Sequence, residues 1–275
     1  MSADQYPDGI RDDDPAFDPT VSHQARFYNY LLGGKDHYEA DRVFAEKVKA
    51  VYPEGAEYAR VNRAFLGRAV RFLAGEAGIS QYLDIGAGLP APGATHEVAQ
   101  QTRPGSKVVY VDVDPVVMAH ARAFMTGRDP GSIAYVDADL RDPGLVLERA
   151  AETLDFTRPV GLLLVAVLHA IGDRDDPHAC VATLVDALPR GSYLVLTHWG
   201  KDPAETEREK KFSGLAGQLS RQPYLPRSRQ EISRFLDGLE IVEPGLVPVQ
   251  HWRPDAGQEP AGKLIPMLGC IGRKP

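Results

Sequence analysis

Three strand-like runs, each closing on a carboxylate, constrain this chain more than any other feature in it. Tyr82-Leu83-Asp84-Ile85 feeds the turn Gly86-Ala87-Gly88-Leu89-Pro90, Val108-Val109-Tyr110-Val111 ends at Asp112, and Ile133-Ala134-Tyr135-Val136 leads into Asp137, Ala138 and Asp139. Two further strands read at 160–168 and 192–198, and helices read near 95–102, 115–126, 143–154 and 177–188. Asp114-Pro115, Asp142-Pro143 and Asp176-Pro177 each place an acidic cap before a proline at the first helical position. The run 160–168 is apolar on both faces, as a central parallel strand covered by helices on each side must be. Alternating strands and helices predict right-handed crossovers and an α/β, doubly wound sheet.

Such a sheet takes its ligand at the carboxyl ends of the strands, where these three acids collect. The glycine turn lets backbone approach a ligand with no Cβ in the way, and the helix after it offers its N-terminus to an anionic group. Asp112 is placed to accept both hydroxyl protons of a ribose. Asp139 can accept from an exocyclic purine amine, with the Leu140 amide donating to the ring. Asp84, two residues ahead of the first glycine, can reach a cationic amino group. Each acid also has a plainer use. Asp84 can cap its own turn, Asp137 and Asp139 can exchange roles, and Asp114 caps its helix, which leaves the ribose to Asp112.

The turn also satisfies a dinucleotide fingerprint ending at Ala91. Pro90 and Pro92 weigh against that reading, because they stiffen the loop where a pyrophosphate-binding helix would begin. The end of the chain adds to the objection. Strands read at 239–242 and 267–272 with no strong helix between them, which predicts an antiparallel pair at the sheet edge rather than a second mononucleotide-binding half.

Ahead of the sheet, residues 1–21 form an acidic, proline-broken leader expected to be flexible. Residues 22–78 read as a helical cap packed on the core. Ser22 caps a helix over 25–32 that stops at Gly33-Gly34, Asp36 and Glu39 have capping-box spacing for a helix running to about Pro53, and 57–77 place Val61, Phe65, Ala69, Phe72 and Leu73 on one face. Residues 79–275 form the core, with a late, very polar helical insert near 201–236, in which Ser228 and Glu231 make a capping box.

With 275 residues and 43% hydrophobic content the chain can bury a sizeable core. Its net charge of −7 argues against nucleic acid and anionic membrane as partners. No run reaches the length of a membrane helix. Cys180 and Cys270 read as reduced thiols in a cytoplasmic protein, and no metal-ligand spacing is present.

These residues resemble class I S-adenosylmethionine-dependent methyltransferases. More narrowly, the chain is similar to a bacterial family of S-adenosyl methyltransferases of unknown substrate. The narrower likeness rests on the blocks at 25–36, 61–66, 82–90, 109–115, 138–143 and 237–247, and on Trp252-Arg253-Pro254. It implies a Rossmann-like seven-stranded sheet, mostly parallel, with an antiparallel last strand. It implies cofactor contacts from Asp84, Gly86, Ala87, Gly88, Asp112, Val113, Asp139 and Leu140. Pro90 stands where the general methyltransferase turn often has glycine.

Methyl transfer needs an acceptor aligned behind the sulfonium methyl and often a base for its proton. His169, at the end of the fourth strand, is the candidate base or orienting group, or else a hydrogen-bonded strand-end histidine. His198 and Trp199 end the fifth strand near the same mouth. Arg26, Lys35 or Arg63 can meet the methionine carboxylate. The expected function is methyl transfer from S-adenosylmethionine to a small-molecule acceptor. The alternatives are an NAD-dependent oxidoreductase and a non-catalytic S-adenosylmethionine-binding protein, the latter lacking a concave acceptor chamber. The sequence leaves the acceptor and the oligomeric state open.

Overall fold

The computed structural model describes residues 18–124, 131–201, 206–220, 222–255, 257 and 264–275, so the expected leader lies outside the described residues except for 18–21. Three helices come first: α1 (Gln24–Leu31), α2 (Glu39–Val51) and α3 (Gly55–Gly75). Strands and helices then alternate through β1 (Gln81–Ile85), α4 (Thr95–Thr102), β2 (Lys107–Asp112), α5 (Pro115–Phe124), β3 (Ile133–Asp137), α6 (Pro143–Ala150), β4 (Gly161–Val165), α7 (Pro177–Ala187) and β5 (Tyr193–Trp199). The chain ends with α8 (Thr206–Leu219), α9 (Arg229–Ser233), β6 (Glu240–Ile241), β7 (Val247–Pro248) and β8 (Met267–Arg273).

One sheet runs in the order β3-β2-β1-β4-β5-β8-β6. Its first five strands are parallel, and β8 lies antiparallel to β5, β6 and β7. The chain fills one side of β1 with β2 and β3, then returns to place β4 on the other side, so the sheet's crevice opens between β1 and β4. Alternate strand residues enter two cores. Tyr82, Val108, Tyr110, Leu163 and Val195 share one core with α3 and α4, whereas Leu83, Val109, Val111, Leu162 and Leu164 share the other with α6, α7 and α9.

The sheet has eight strands rather than the expected seven, because the edge strand is split in two. Both β6 and β7 pair with β8, and Pro244, which has no amide hydrogen to give a ladder, sits between them with Gly245 at φ +87°. Three local expectations are also corrected. Ser22 does not cap α1; its N–H donates to the Leu219 carbonyl, and His23 takes the cap position. The box at the start of α2 is formed by Asp41, not Asp36 and Glu39, since the Asp41 carboxylate accepts from the N–H groups of Tyr38 and His23. The apolar run at 160–168 holds strand only to Val165; Ala166 turns the chain at φ +57° and a 3-10 turn covers Leu168–Ala170. The capping box of Ser228 and Glu231 forms as expected.

Candidate functional site

A cavity of about 210 Å³ opens at the carboxyl ends of β1, β2 and β4. All eight residues expected to touch the cofactor line it: Asp84, Gly86, Ala87, Gly88, Asp112, Val113, Asp139 and Leu140. Asp137 does not, which removes the ambiguity between it and Asp139. The other wall comes from α1, with His23, Gln24, Tyr28 and Asn29, and from Asn62 and Arg63 on α3.

The glycine turn works differently from the sequence expectation. Gly86 and Ala87 donate their N–H groups to the Val111 carbonyl at 2.8 and 3.2 Å, and Gly88 donates to Asp112 Oδ2 at 2.9 Å. These amides are therefore engaged within the protein and do not cradle an anion. Gly86 is at φ +73°, and a Cβ there would lie 2.6 Å from Val167 Cγ2, so only glycine carries the chain past β4 at this point. The next helix, α4, begins only at Thr95, and the Glu97 carboxylate already accepts from the N–H groups of Gly93 and Ala94. A pyrophosphate would need those donors. A nucleoside cofactor without phosphate does not, so the cavity fits S-adenosylmethionine and excludes the usual dinucleotide pose.

The acids are deeply set. Asp112 accepts from Gly88 N–H and Asp114 N–H, and burial raises its carboxyl above the usual range. Its role is thus partly structural, while each oxygen keeps a lone pair for a ligand hydroxyl. Asp84 accepts from Thr95 Oγ1 at 2.6 Å, and burial pushes its carboxyl up to about 6. Burial also acts to raise Asp139, but hydrogen bonds from Arg141 outweigh it and hold the carboxyl low. Asp114 caps α5 through Val116 N–H, lies 2.8 Å from His23 Nδ1, which donates to it, and pairs with Arg26 at 3.2 Å. Arg26 is thereby committed to Asp114 and Asp41, and it does not line the cavity.

Two side chains on α3 supply what a zwitterionic amino-acid tail requires. Arg63 Nε and Asn62 Oδ1 are buried without hydrogen-bond partners, one a donor and the other an acceptor, and both residues line the cavity. Asn62 is correctly oriented for this: its Nδ2 donates to Tyr28 Oη, which donates to the Ala59 carbonyl, leaving Oδ1 open. Lys35, the third basic candidate in the sequence, lies away from the lining.

His169 is not at the strand end but in the 3-10 turn after it. It faces a second cavity, of about 100 Å³, that shares Gln24, Tyr28, Ala166, Gln222 and Pro223 with the first. Gln24 Nε2 donates to the Ala166 carbonyl at 2.7 Å and lies 3.0 Å from His169 Nε2. The amide nitrogen is a donor, so His169 Nε2 accepts and the ring proton resides on Nδ1. Burial, aided by the Arg227 charge, lowers this imidazole to about 4, so it is neutral. Trp199 lines the same cavity, whereas His198 is occupied by Arg227 and the Trp199 carbonyl.

The second cavity was not visible in the sequence as a site. Four helices each contribute an i, i+4 pair: Phe27 and Leu31, Phe44 and Val48, Gly55 and Ala59, and Phe212 and Ala216. Tyr52, Tyr58, Trp199 and Tyr224 complete it. The junction between the cavities is tied by hydrogen bonds. Gln222 Oε1 accepts from Gln24 N–H, and Gln222 Nε2 donates to His23 Nε2.

A mostly parallel Rossmann-like sheet with an antiparallel β8, its crevice shaped for a phosphate-free nucleoside, defines the class as S-adenosylmethionine-dependent methyltransferases. The chain belongs to the S-adenosyl methyltransferase family, whose model matches residues 11–275. It is similar to a DUF574 family protein of Streptomyces avermitilis MA-4680, at 39% identity and TM-score 0.87, covering 93% of this chain and 98% of that one. It is also similar to a proposed methyltransferase of Thermobifida fusca YX, at 41% identity and TM-score 0.85, covering 94% and 97%. An S-adenosylmethionine-dependent methyltransferase of Anabaena variabilis ATCC 29413 shares the fold at 14% identity and TM-score 0.51, over 75% of this chain and 83% of that one. None of the curated proteins matches. No helix among the described residues is long and apolar enough to cross a membrane.

Proposed function

We propose that this methyltransferase acts on a small organic molecule held in the second cavity. The carrying observation is the partly open chamber that meets the cofactor cavity along Gln24, Tyr28, Ala166, Gln222 and Pro223. A chamber of about 100 Å³ walled by four helices is sized for a small group rather than for a macromolecular surface. The same chamber weighs against a non-catalytic binding protein, which has no use for an acceptor site. Two unpaired, buried cysteines accord with work in the cytoplasm.

When bound, the sulfonium supplies an electrophilic methyl group. Asp112 holds the ribose hydroxyls, Asp139 and Leu140 take the purine edge, and Gly86, Ala87, Gly88 and Val113 shape the wall around the nucleoside. Arg63 holds the methionine carboxylate, and Asn62 with Asp84 receives the ammonium group. Ala166, strained at φ +57° and fixed by Thr197 Oγ1 and Gln24, sets the border between cofactor and acceptor. Of the two functional roles read for His169, orientation is better supported than general base catalysis, because its one lone pair already accepts from Gln24.

Two measurements test this. S-adenosylhomocysteine should raise the melting midpoint and NAD should leave it unchanged; at a hundredfold excess over Kd the gain is about 2.7 kcal/mol. Radiolabelled methyl from S-adenosylmethionine should then appear in the small-molecule fraction of a cell extract. Label confined to protein or nucleic acid would overturn the small-molecule reading.

A further inference from the structure

The chemistry of the second cavity narrows the acceptor. We infer that it takes an uncharged, single-ring aromatic molecule carrying an oxygen function; this rests on the methyltransferase reading of the adjoining cavity and adds a substrate class to it.

Charge is the first restriction. Among the described residues lining the chamber there is no Asp, Glu, Lys or Arg. The nearby Arg208 does not contribute a charge to it, since its guanidinium stacks 4.2 Å over the Tyr52 ring and pairs with Glu54 at 2.9 Å. A charged ligand would lose its hydration and meet no counter-charge.

Shape is the second. The wall is largely aromatic, and its rings already meet edge to face. Phe212 and Tyr224 lie 4.1 Å apart at 83°, and Tyr52 and Trp199 lie 6.1 Å apart at 80°. A wall of ring faces and ring edges rewards a flat π-system that can adopt the same offsets. About 100 Å³ is below the roughly 150 Å³ cavity known to hold benzene in another protein, so a single ring is the largest flat group the chamber takes and a fused polycycle exceeds it.

The third restriction is polar. Trp199, 8% exposed, and His169, 6% exposed, each carry a buried nitrogen without a partner, Nε1 and Nδ1. The indole nitrogen is a donor, and the bond from Gln24 to His169 Nε2 makes Nδ1 a donor as well. Two unmet donors on residues that line one apolar chamber call for an acceptor atom on the ligand. A hydroxyl, ether or carbonyl oxygen supplies it, and an ammonium group does not.

The test uses the intact protein saturated with S-adenosylhomocysteine. The chain has two tryptophans, of which Trp199 lines the chamber and Trp252 packs instead against Phe65 and Phe72, so quenching lost in Trp199→Phe reports the chamber. The probes are 4-methylphenol, benzoate, benzylamine, cyclohexanol and 1-naphthol. We expect saturable quenching by 4-methylphenol at least about tenfold tighter than by any of the other four. Ala216→Phe and Gly55→Leu, which fill the chamber from α8 and α3, should abolish that binding and keep the full midpoint shift with S-adenosylhomocysteine. Equal or tighter binding of benzoate, benzylamine, cyclohexanol or naphthol overturns the inference, as does a protein that shifts with S-adenosylhomocysteine yet binds no 4-methylphenol. No shift with S-adenosylhomocysteine overturns the methyltransferase reading beneath it.

Discussion

The two cavities of this protein share a border and little else. The first is built at the carboxyl ends of three strands, and its polar groups are acids seated among loop amides, faced by Asn62 and Arg63 on α3. The second is built by four helices around the sheet, and its wall is almost wholly apolar. The strand-end side of the first cavity depends on a few backbone positions within about sixty residues of chain, from Asp84 to Leu140, while α1 and α3 close it from the other side. The helical one draws on residues from α1 to β8 and exists only when those helices pack. One region is therefore set by local geometry, the other by tertiary assembly, and changes in each should have separable effects.

The largest expected effect breaks the second region and spares the first. Phe212→Ala removes a ring packed between Phe44, Tyr52 and Tyr224, and should cost about 3 kcal/mol, lowering the melting midpoint by roughly 6–12 °C in a calorimetric scan. The shift produced by saturating S-adenosylhomocysteine should keep its size. A variant that loses the shift too would mean that the two regions are not separable.

Next comes a change that breaks the first region alone. Asp112→Asn retains an acceptor for the loop amides and should leave the unliganded midpoint within a few degrees, while S-adenosylhomocysteine binds at least about tenfold more weakly by titration calorimetry. A collapse of the unliganded protein would make Asp112 chiefly a structural residue.

Asp84 gives the comparison a pH axis. Its carboxyl lies at about 6 in the unliganded protein, so it is ionised above that pH and protonated below it. The ligand's ammonium group prefers the carboxylate, so affinity should fall as pH drops below 6, by up to about tenfold per pH unit. Asp84→Asn should bind more weakly at pH 7.5 and show a flattened profile. A pH-independent affinity in the parent protein would place the ammonium group elsewhere.

The effect confined to the narrowest conditions concerns His169. Its folded-state value of about 4 lies below the unfolded value of 6.5, so the unfolded chain binds the extra proton between these limits. Stability from this residue is fully present above 6.5 and is lost as pH falls toward 4, by up to about 1.4 kcal/mol per pH unit. Denaturant melts of His169→Gln should show a shallower pH slope in that window and unchanged affinity for S-adenosylhomocysteine.

The contrast between the regions also explains what the sequence reveals. Strand alternation, the Asp-Pro helix starts and the acid at the end of each strand are local patterns, and they mark the strand-end side of the first cavity; Asn62, on its helical side, has no such mark. Assigning the helix cap to Asp114 isolates Asp112, and the structure shows Asp114 on Val116 N–H. Conformation within the glycine loop is less legible, because which carbonyl takes each N–H depends on β2 lying alongside. The left-handed turn at Ala166 is hidden inside an apolar run and is held by Thr197, thirty-one residues away. The acceptor chamber is hidden for another reason. The segment containing α8 reads as polar in composition, and only the four-residue spacing of Phe212 and Ala216 marks a buried face. Gly55 and Ala59 leave room by being small, which no local pattern flags as a site.

The most direct test of the central claim is a crystal structure with S-adenosylhomocysteine bound. The account predicts both ribose hydroxyls on Asp112, the purine edge at Asp139 and Leu140, the amino-acid tail between Asn62, Arg63 and Asp84, and the sulfur turned toward the border at Gln24 and Ala166. A ligand seated elsewhere, or one whose sulfur faces away from the aromatic chamber, would contradict it.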